Sequence, residues 1–389
     1  MRMYKRRIKK QIDHALERNK SVLLLGPRQT GKTTLLEEET YDISVSLLLE
    51  KNRIRYEQDP DLLIQEIQAH PKRKKELRVL IDEIQLVPKL LNTAQYIIDK
   101  KLAQIILTGS SARKIRKHTD INLLPGRMVL LHLDSLSYTE HKNQNLEKLL
   151  IFGELPGVMT VDLAADKELD LESYVITYLE EEIRKEAATK NLPAFYRFLE
   201  LAALESGKII SLRKIGSIAG VNHSVIASYY GILEDSLIIQ RIDPYSVSAT
   251  RKKLTKSSKY LFFDLGVRRL AAKEGPKLGK NRLGELFEHY VGIELIRLFR
   301  FRHERNSLSF WRDPDGPEID WLILGNSKMI PLEVKYKEKV ERSDCKHLEV
   351  FLNEYPKAAK GYVICTADRP YKVTERVTAI PWFQLEDIL

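Results

Sequence analysis

The stretch SVLLLGPRQTGKTTLL, residues 21–36, constrains this chain more than any other. Val22 to Leu25 is an apolar run that reads as a buried strand, and TTLLEE reads as helix. Between them Gly26, Gly31, Lys32 and Thr33 fill the fixed places of G-x-x-x-x-G-K-[ST]. The two glycines let the backbone turn tightly, so that successive N–H groups point inward at phosphate oxygens. The helix opening near Lys32 adds its N-terminal dipole. In this pattern Lys32 reaches the β- and γ-phosphates, and the Thr33 hydroxyl sits on Mg²⁺. The loop Gly26, Pro27, Arg28, Gln29, Thr30, Gly31, Lys32, Thr33 and Thr34 is the candidate ATP-binding element. A strand–loop–helix of this kind predicts an α/β core with a parallel sheet.

The neighbouring segments alternate accordingly. Residues 4–18 read as an amphipathic helix, with Ile8, Ile12 and Leu16 inward and Arg6, Arg7, Lys9 and Lys10 on a solvated face. A strand at 43–49, a helix at 59–70 and a basic loop at 71–76 follow. Leu77 to Ile81 is a short apolar strand with Asp82 and Glu83 at its carboxyl end. Ligands of open parallel sheets bind just beyond such ends. Asp82 is therefore the candidate to hold Mg²⁺ through water, and Glu83 to polarise the attacking water. The strand AQIILTGSS (103–111) ends in small polar residues suited to sensing a γ-phosphate, with Thr108 first and Ser110 and Ser111 beside it. Arg127 precedes the strand MVLLHL and is a candidate arginine finger, acting in trans if the chain forms a homo-oligomeric ring such as a hexamer.

At 389 residues the chain has length for two or three domains, divided here as 1–160, 161–270 and 271–389. The net charge of +10 points to an acidic partner, nucleic acid before membrane. Cys345 and Cys365 have no metal-type spacing, which predicts a reducing, cytoplasmic setting and no structural zinc. The basic N-terminus has no apolar region after it, and no run reaches the length of a membrane span, so no membrane role is expected.

In the middle, two helices (DLESYVITYLEEEIRKEAA and NLPAFYRFLELAALESG) lead into a winged helix-turn-helix pattern. A short helix at 211–220 stops at Gly220, Asn222 caps the next, and Ile226, Tyr229 or Tyr230, and Leu233 form its buried stripe. Such a module usually binds DNA. Its exposed positions, His223, Ser224 and Ser228, carry little charge. Arg251, Lys252, Lys253, Lys256 and Lys259 in the following basic loop suit phosphate contacts, which position without reading sequence.

The C-terminal part begins after a linker at 275–282 with the helix LGELFEHYVGIELIRLF. A hairpin (307–324) carries Asp320, and the strand MIPLEVKY places Glu333 and Lys335 on one face. With Glu288 from the helix, and Glu285 one turn away as its substitute, the set E…D…E-x-K resembles the PD-(D/E)XK nuclease core. Asp320, Glu333 and Glu288 would then hold one or two Mg²⁺ ions, or Mn²⁺, on a scissile phosphate, and Lys335 would orient the water.

Taken together, LIDEIQ, LTGSS, LLPGR, LSYTE, GELPGVM, ESYVITYLEEEI, LEDSLIIQRIDPY and KYLFFDLGVRR resemble a family of bacterial and archaeal AAA-type ATPases whose C-terminal part is the domain of unknown function numbered 4143. That resemblance implies a AAA+-like core. The expected whole is an α/β P-loop ATPase core, a helical and winged-helix middle, and an α/β nuclease-like C-terminal domain. Two functions follow from it: an ATP-dependent enzyme that binds and cuts DNA, branched or damaged, or an ATP-switched interaction protein whose nuclease-like domain does not cut.

Overall fold

The computed structural model describes residues 4–71, 77–111, 127–142, 144–183 (backbone alone at 180–183), 191–247, 256–302, 306–313, 316–325 and 328–389. It divides into two compact units, Met1–Leu136 with Asp235–Ile238, and Ser137–Glu234 with Ile239–Leu389.

The first unit is built on a five-stranded sheet of β1 (Ser21–Leu25), β2 (Ile43–Ser46), β3 (Leu77–Asp82), β4 (Ala103–Gly109) and β5 (Met128–His132), in the order β2-β3-β4-β1-β5. Every pairing is parallel. Helices α1 (Lys9–Glu17), α2 (Lys32–Glu37), α3 (Glu50–Gln58), α4 (Leu62–Ala69) and α5 (Leu90–Asp99) complete it. Val22 and Leu24 pack with Ile8, Ile12, Leu16 and Leu35, whereas Leu23 and Leu25 pack with Leu63, Ile67 and Leu90. A parallel sheet covered on both faces reads as unbroken apolar runs, which is why these strands stand out in the sequence. α3 does not: EKNRIRYEQ buries only Tyr56, whose hydroxyl donates to Glu66 at 2.6 Å, so no apolar stripe announces a helix. The expected strand at 43–49 stops at Ser46.

In the second unit the helix Ala164–Tyr174 runs on as a π-helix over Val175–Ile183, and a further helix spans Leu192–Leu204. Helices Leu212–Ala219 and His223–Asp235 lead into an antiparallel pair, β6 (Ile239–Ile242) and β7 (Lys259–Phe262). Both tyrosines of the His223–Asp235 helix are buried, beside Ile226, Ile232 and Leu233. Tyr230 meets Phe198 edge-on at 5.0 Å and stacks on Tyr260 at 4.3 Å.

GELPGVM and KYLFFDLGVRR interlock. The Asp264 carboxylate accepts from the amides of Gly266 (3.0 Å) and Val267 (3.1 Å), capping the helix Leu265–Ala271, and from the Glu154 amide (2.7 Å). Gly153 has φ +70°, and a Cβ there would lie 2.0 Å from Asp264 Oδ1. Glu154 in turn meets His141 (2.8 Å) and Arg297. Arg268 and Arg269 are buried and donate to the carbonyls of Ala203 (2.6 Å) and Ile151 (2.8 Å). Buried polar groups need such partners, and these motif residues supply them to one another.

The C-terminal sheet contains β8 (Ser307–Arg312), β9 (Glu318–Gly325), β10 (Lys328–Val334), β11 (Gly361–Cys365), β12 (Tyr371–Lys372) and β13 (Val377–Pro381). Their order is β12-β13-β11-β10-β9-β8. β8, β9 and β10 are antiparallel neighbours, while β10, β11 and β13 are parallel. The long helix Lys280–Arg302 covers one face through Phe287, Tyr290 and Val291, and the helix Lys346–Glu354 covers the other through Leu348 and Phe351. Cys345 and Cys365 are free and buried. No described helix is long and apolar enough to cross a membrane.

Candidate functional site

Because β1, β3 and β4 run parallel, Leu25, Asp82 and Gly109 end at the same edge, and the phosphate-type loop opens there. The Gly26 amide donates to the Gly109 carbonyl at 3.1 Å. A Cβ on Gly26 would lie 2.2 Å from the Leu133 carbonyl oxygen, so this contact admits glycine alone. Gly31 caps α2 at φ +90°, while Gln29 takes a left-handed φ of 59° despite its side chain. The Thr30 hydroxyl closes the turn by donating to the Pro27 carbonyl at 2.9 Å.

Lys32 is buried, and its Nζ donates to the carbonyls of Gly26 (2.8 Å) and Pro27 (3.0 Å). Burial lowers its pKa, against the pull of Glu83 and Asp82. Its partners are neutral, so its charge is left for an anion, and a phosphate oxygen makes a stronger, charge-assisted bond than a carbonyl does. Thr33 Oγ1 donates to Asp82 Oδ2 at 3.3 Å. A hydroxyl and a carboxylate held together are the oxygen ligands that Mg²⁺ takes. The donor set therefore fits a nucleotide triphosphate with Mg²⁺. Burial and the neighbouring Glu83 charge raise the Asp82 pKa, while Thr108, Lys32 and Thr33 work against the rise. Glu83 has a left-handed backbone (φ 60°), and its carboxylate accepts from Ser110 Oγ at 3.0 Å and from Gln85.

Thr108 differs from the expected phosphate sensor. Its hydroxyl, fully enclosed, donates to Asp82 and accepts from the Glu83 amide at 2.9 Å, so both roles of that oxygen are taken within the protein. It clamps the carboxylate pair instead. Arg6 also differs from its reading as part of a solvated face. It donates to the carbonyls of Thr30 (2.6 Å) and Asp134 (2.7 Å), bracing the loop from outside. No local pattern marks it, since its partners are backbone atoms far along the chain. Gln85, two residues after Glu83, was equally hidden. Arg127 pairs with Asp99 at 2.6 Å. The register Ser21↔Met128 sets Arg127 at the opening of β1, five residues below the loop, or about 17 Å. It stands far from this chain's own phosphate loop, and its partner within the fold is Asp99.

In the C-terminal sheet, Glu333 and Lys335 share a face and pair at 2.7 Å. Asp320 Oδ2 accepts from the Val334 amide at 2.8 Å. Glu288 Oε1 accepts from Lys259 Nζ at 2.7 Å. Burial raises the pKa of Asp320 well above the usual carboxylate range, and Glu333 and Glu288 add to it. Glu333 is pushed up to about 7, mainly by burial. Glu333 Oε2 is buried with no hydrogen-bond partner. The three carboxylates thus feel one another, with two ammonium groups among them. Among the described residues, however, no three acidic, histidine or cysteine side chains gather closely enough to hold a metal ion. As it stands, the charge of this cluster is met by the two ammonium groups. Glu285 pairs instead with Arg282 and, at 3.3 Å, with Lys208.

Lys259 also corrects the expectation of a DNA contact. It is a buried residue of β7, not part of an exposed loop. Lys256 is exposed, as are His223, Ser224 and Ser228. Arg251, Lys252 and Lys253 lie outside the described residues.

Residues 18–142 match a family model described as an AAA domain, and residues 283–385 match the domain of unknown function DUF4143. Between them, residues 143–277 match another domain of unknown function, DUF8612. The chain thus carries an AAA-type ATPase domain, with the DUF4143 domain at its C-terminal end. An uncharacterized protein of Mycobacterium tuberculosis is 24% identical over 84% of this chain and 72% of its own length. One from Methanocaldococcus jannaschii is 24% identical over 96% of this chain and 86% of its own. Among solved structures, a DNA polymerase III gamma-subunit-related protein of Thermotoga maritima overlaps 59% of this chain and 98% of its own, at 10% identity and a TM-score of 0.25. Overlap that slight leaves the residues themselves as the ground for a functional reading.

Proposed function

We propose that the chain is an ATP-hydrolysing P-loop enzyme that acts on DNA, with an ATPase part, a helical and winged-helix part and a nuclease-like part in that order along the chain. One observation carries the ATPase reading: the buried Lys32 ammonium rests on two neutral carbonyls beside the Thr33–Asp82 pair. The loop amides and Lys32 would bind the phosphates, Thr33 and Asp82 would hold Mg²⁺, and Glu83 would take the proton of the attacking water. Magnesium supplies charge neutralisation at the phosphates. Glu83 is kept in place for that task by Ser110 and Gln85. DNA binding is supported by the net charge of +10, by the helix-turn-helix and two-strand hairpin order, and by the exposed Lys256.

The order of helix, three antiparallel strands, helix and parallel strand, with Asp320 on β9 and Glu333 on β10, supports a PD-(D/E)XK nuclease-like fold. Cleavage is the less favoured use of it. The lysine–carboxylate pairing in the cluster favours the second reading, an ATP-switched protein whose nuclease-like domain binds and does not cut. Phosphate release from ATP, with and without DNA, tests the first claim; no release from wild type under either condition sinks it. Metal-dependent cutting of single-stranded, duplex, forked or four-way DNA, lost in Asp320→Ala, would restore the nuclease.

A further inference from the structure

The acidic cluster of the second unit contains cations of its own. Lys259 enters it from β7, and its Nζ lies 2.7 Å from Glu288 Oε1. The same ammonium is 4.7 Å from the centroid of the Trp321 ring and 5.1 Å from that of Phe310. Trp321 is itself fixed, its indole N–H donating to the Glu288 carbonyl at 3.0 Å. An ammonium over aromatic faces and against a carboxylate has its charge met on several sides at once. β7 is held in turn through the Ile209↔Lys259 bridge and the bond from the Ile210 amide to the Ser258 carbonyl, 3.2 Å. The lysine is therefore delivered by backbone, not swung in on a loose loop. A cavity of about 330 Å³ opens beside it, lined by Lys208, Lys259, Glu288, Arg312, Glu318 and Asp320.

We propose that Lys259 is the resident cation of this cluster. It fills the electrostatic role that a divalent ion would otherwise fill for Glu288 and Asp320, as Lys335 does for Glu333, and it excludes that ion by charge and by position. Two cations beside one carboxylate repel, so Mn²⁺ or Mg²⁺ gains a site only when the ammonium is removed. The cluster then serves to fasten β7 onto the C-terminal sheet. This inference concerns residues apart from the phosphate loop and does not depend on the ATPase reading.

The test is a Mn²⁺ titration of the full chain without nucleotide, following free Mn²⁺ by its paramagnetic resonance signal. Wild type is expected to show no Mn²⁺ site that Asp320→Asn removes. Lys259→Met keeps a stem against Phe310 and Trp321 but has no charge. It is expected to gain one such site, and to lose it when Asp320→Asn is added. Lys259→Arg, which keeps the charge, is expected to behave as wild type. A folded Lys259→Met chain with no gain overturns the proposal. The wild-type arm stands even if that variant fails to fold, because an Asp320-dependent Mn²⁺ site in the unaltered protein overturns it directly.

Discussion

Two places in the molecule set lysine beside paired carboxylates, and the two lysines are wired differently. At the phosphate loop, Lys32 is hydrogen-bonded to neutral carbonyls, and the carboxylates of Asp82 and Glu83 are held by hydroxyl and amide groups. In the C-terminal sheet, Lys259 and Lys335 are bonded to carboxylates directly. The first wiring leaves a positive charge available to an incoming phosphate. The second satisfies the charges within the fold. Residue types alone do not separate an anion receptor from a counter-ion, whereas the identity of the hydrogen-bond acceptor does.

The comparison is open to experiment. Lys32→Ala should lower ATP turnover about 10²–10³-fold, measured by phosphate release, while the melting temperature of the nucleotide-free chain barely moves. A large drop in melting temperature would show that Lys32 is structural after all. Lys259→Ala should do the reverse. Breaking a buried pair costs about 3 kcal/mol or more, which denaturant unfolding would register, and turnover per folded chain should hold. An unchanged unfolding midpoint would remove the counter-ion assignment.

A titration sharpens the same contrast between charge and burial. His289 is buried, and burial depresses its pKa to about 3, even though its ring bonds the Phe262 carbonyl. It is neutral in the fold, whereas the unfolded chain protonates it below its ordinary value of 6.5. Stability from this group is therefore complete above about pH 6.5 and is lost as pH falls toward 3. The slope approaches 1.4 kcal/mol per pH unit. His289→Gln should flatten the acid limb of the stability curve, and an identical limb in the variant would refute the assignment. The smallest effect belongs to the exposed pair Arg127–Asp99. Asp99→Asn should leave the melting temperature unchanged. Arg127→Ala should reduce turnover with ATP affinity kept if the residue serves a neighbouring copy; equal turnover would remove that role.

What was legible in the sequence was local. Gly26 to Thr33, and Asp82 with Glu83, sit at strand ends that short apolar runs disclose. Asp320 and Glu333 sit on neighbouring strands of one sheet, and period-two spacing sets Lys335 beside Glu333. The alternation of Val22, Leu23, Leu24 and Leu25 between two cores marks a covered strand without further help. What escaped was set by tertiary partners. Lys259 sits in a run of basic residues and looked like its neighbours, but strand alternation turns it inward. Arg6 was read as a surface charge because nothing nearby in the sequence tells of the Thr30 and Asp134 carbonyls. The Thr108 hydroxyl, at a strand end suited to a ligand, is committed to Asp82 and to the Glu83 amide. Long-range hydrogen bonds leave no periodic trace, and the readings of Arg6 and Thr108 fail for that reason.

The Glu154–Asp264 lock has a consequence in time as well as in energy. Its two partners lie 110 residues apart. During synthesis at about 5–20 residues per second, the first waits roughly 5–20 s for the second to be made. Through that interval Gly153 is cramped by nothing, His141 and Glu154 lack the rest of their network, and the apolar residues around them have no finished core to enter. The middle of this chain thus completes its core only after Asp264 has been made.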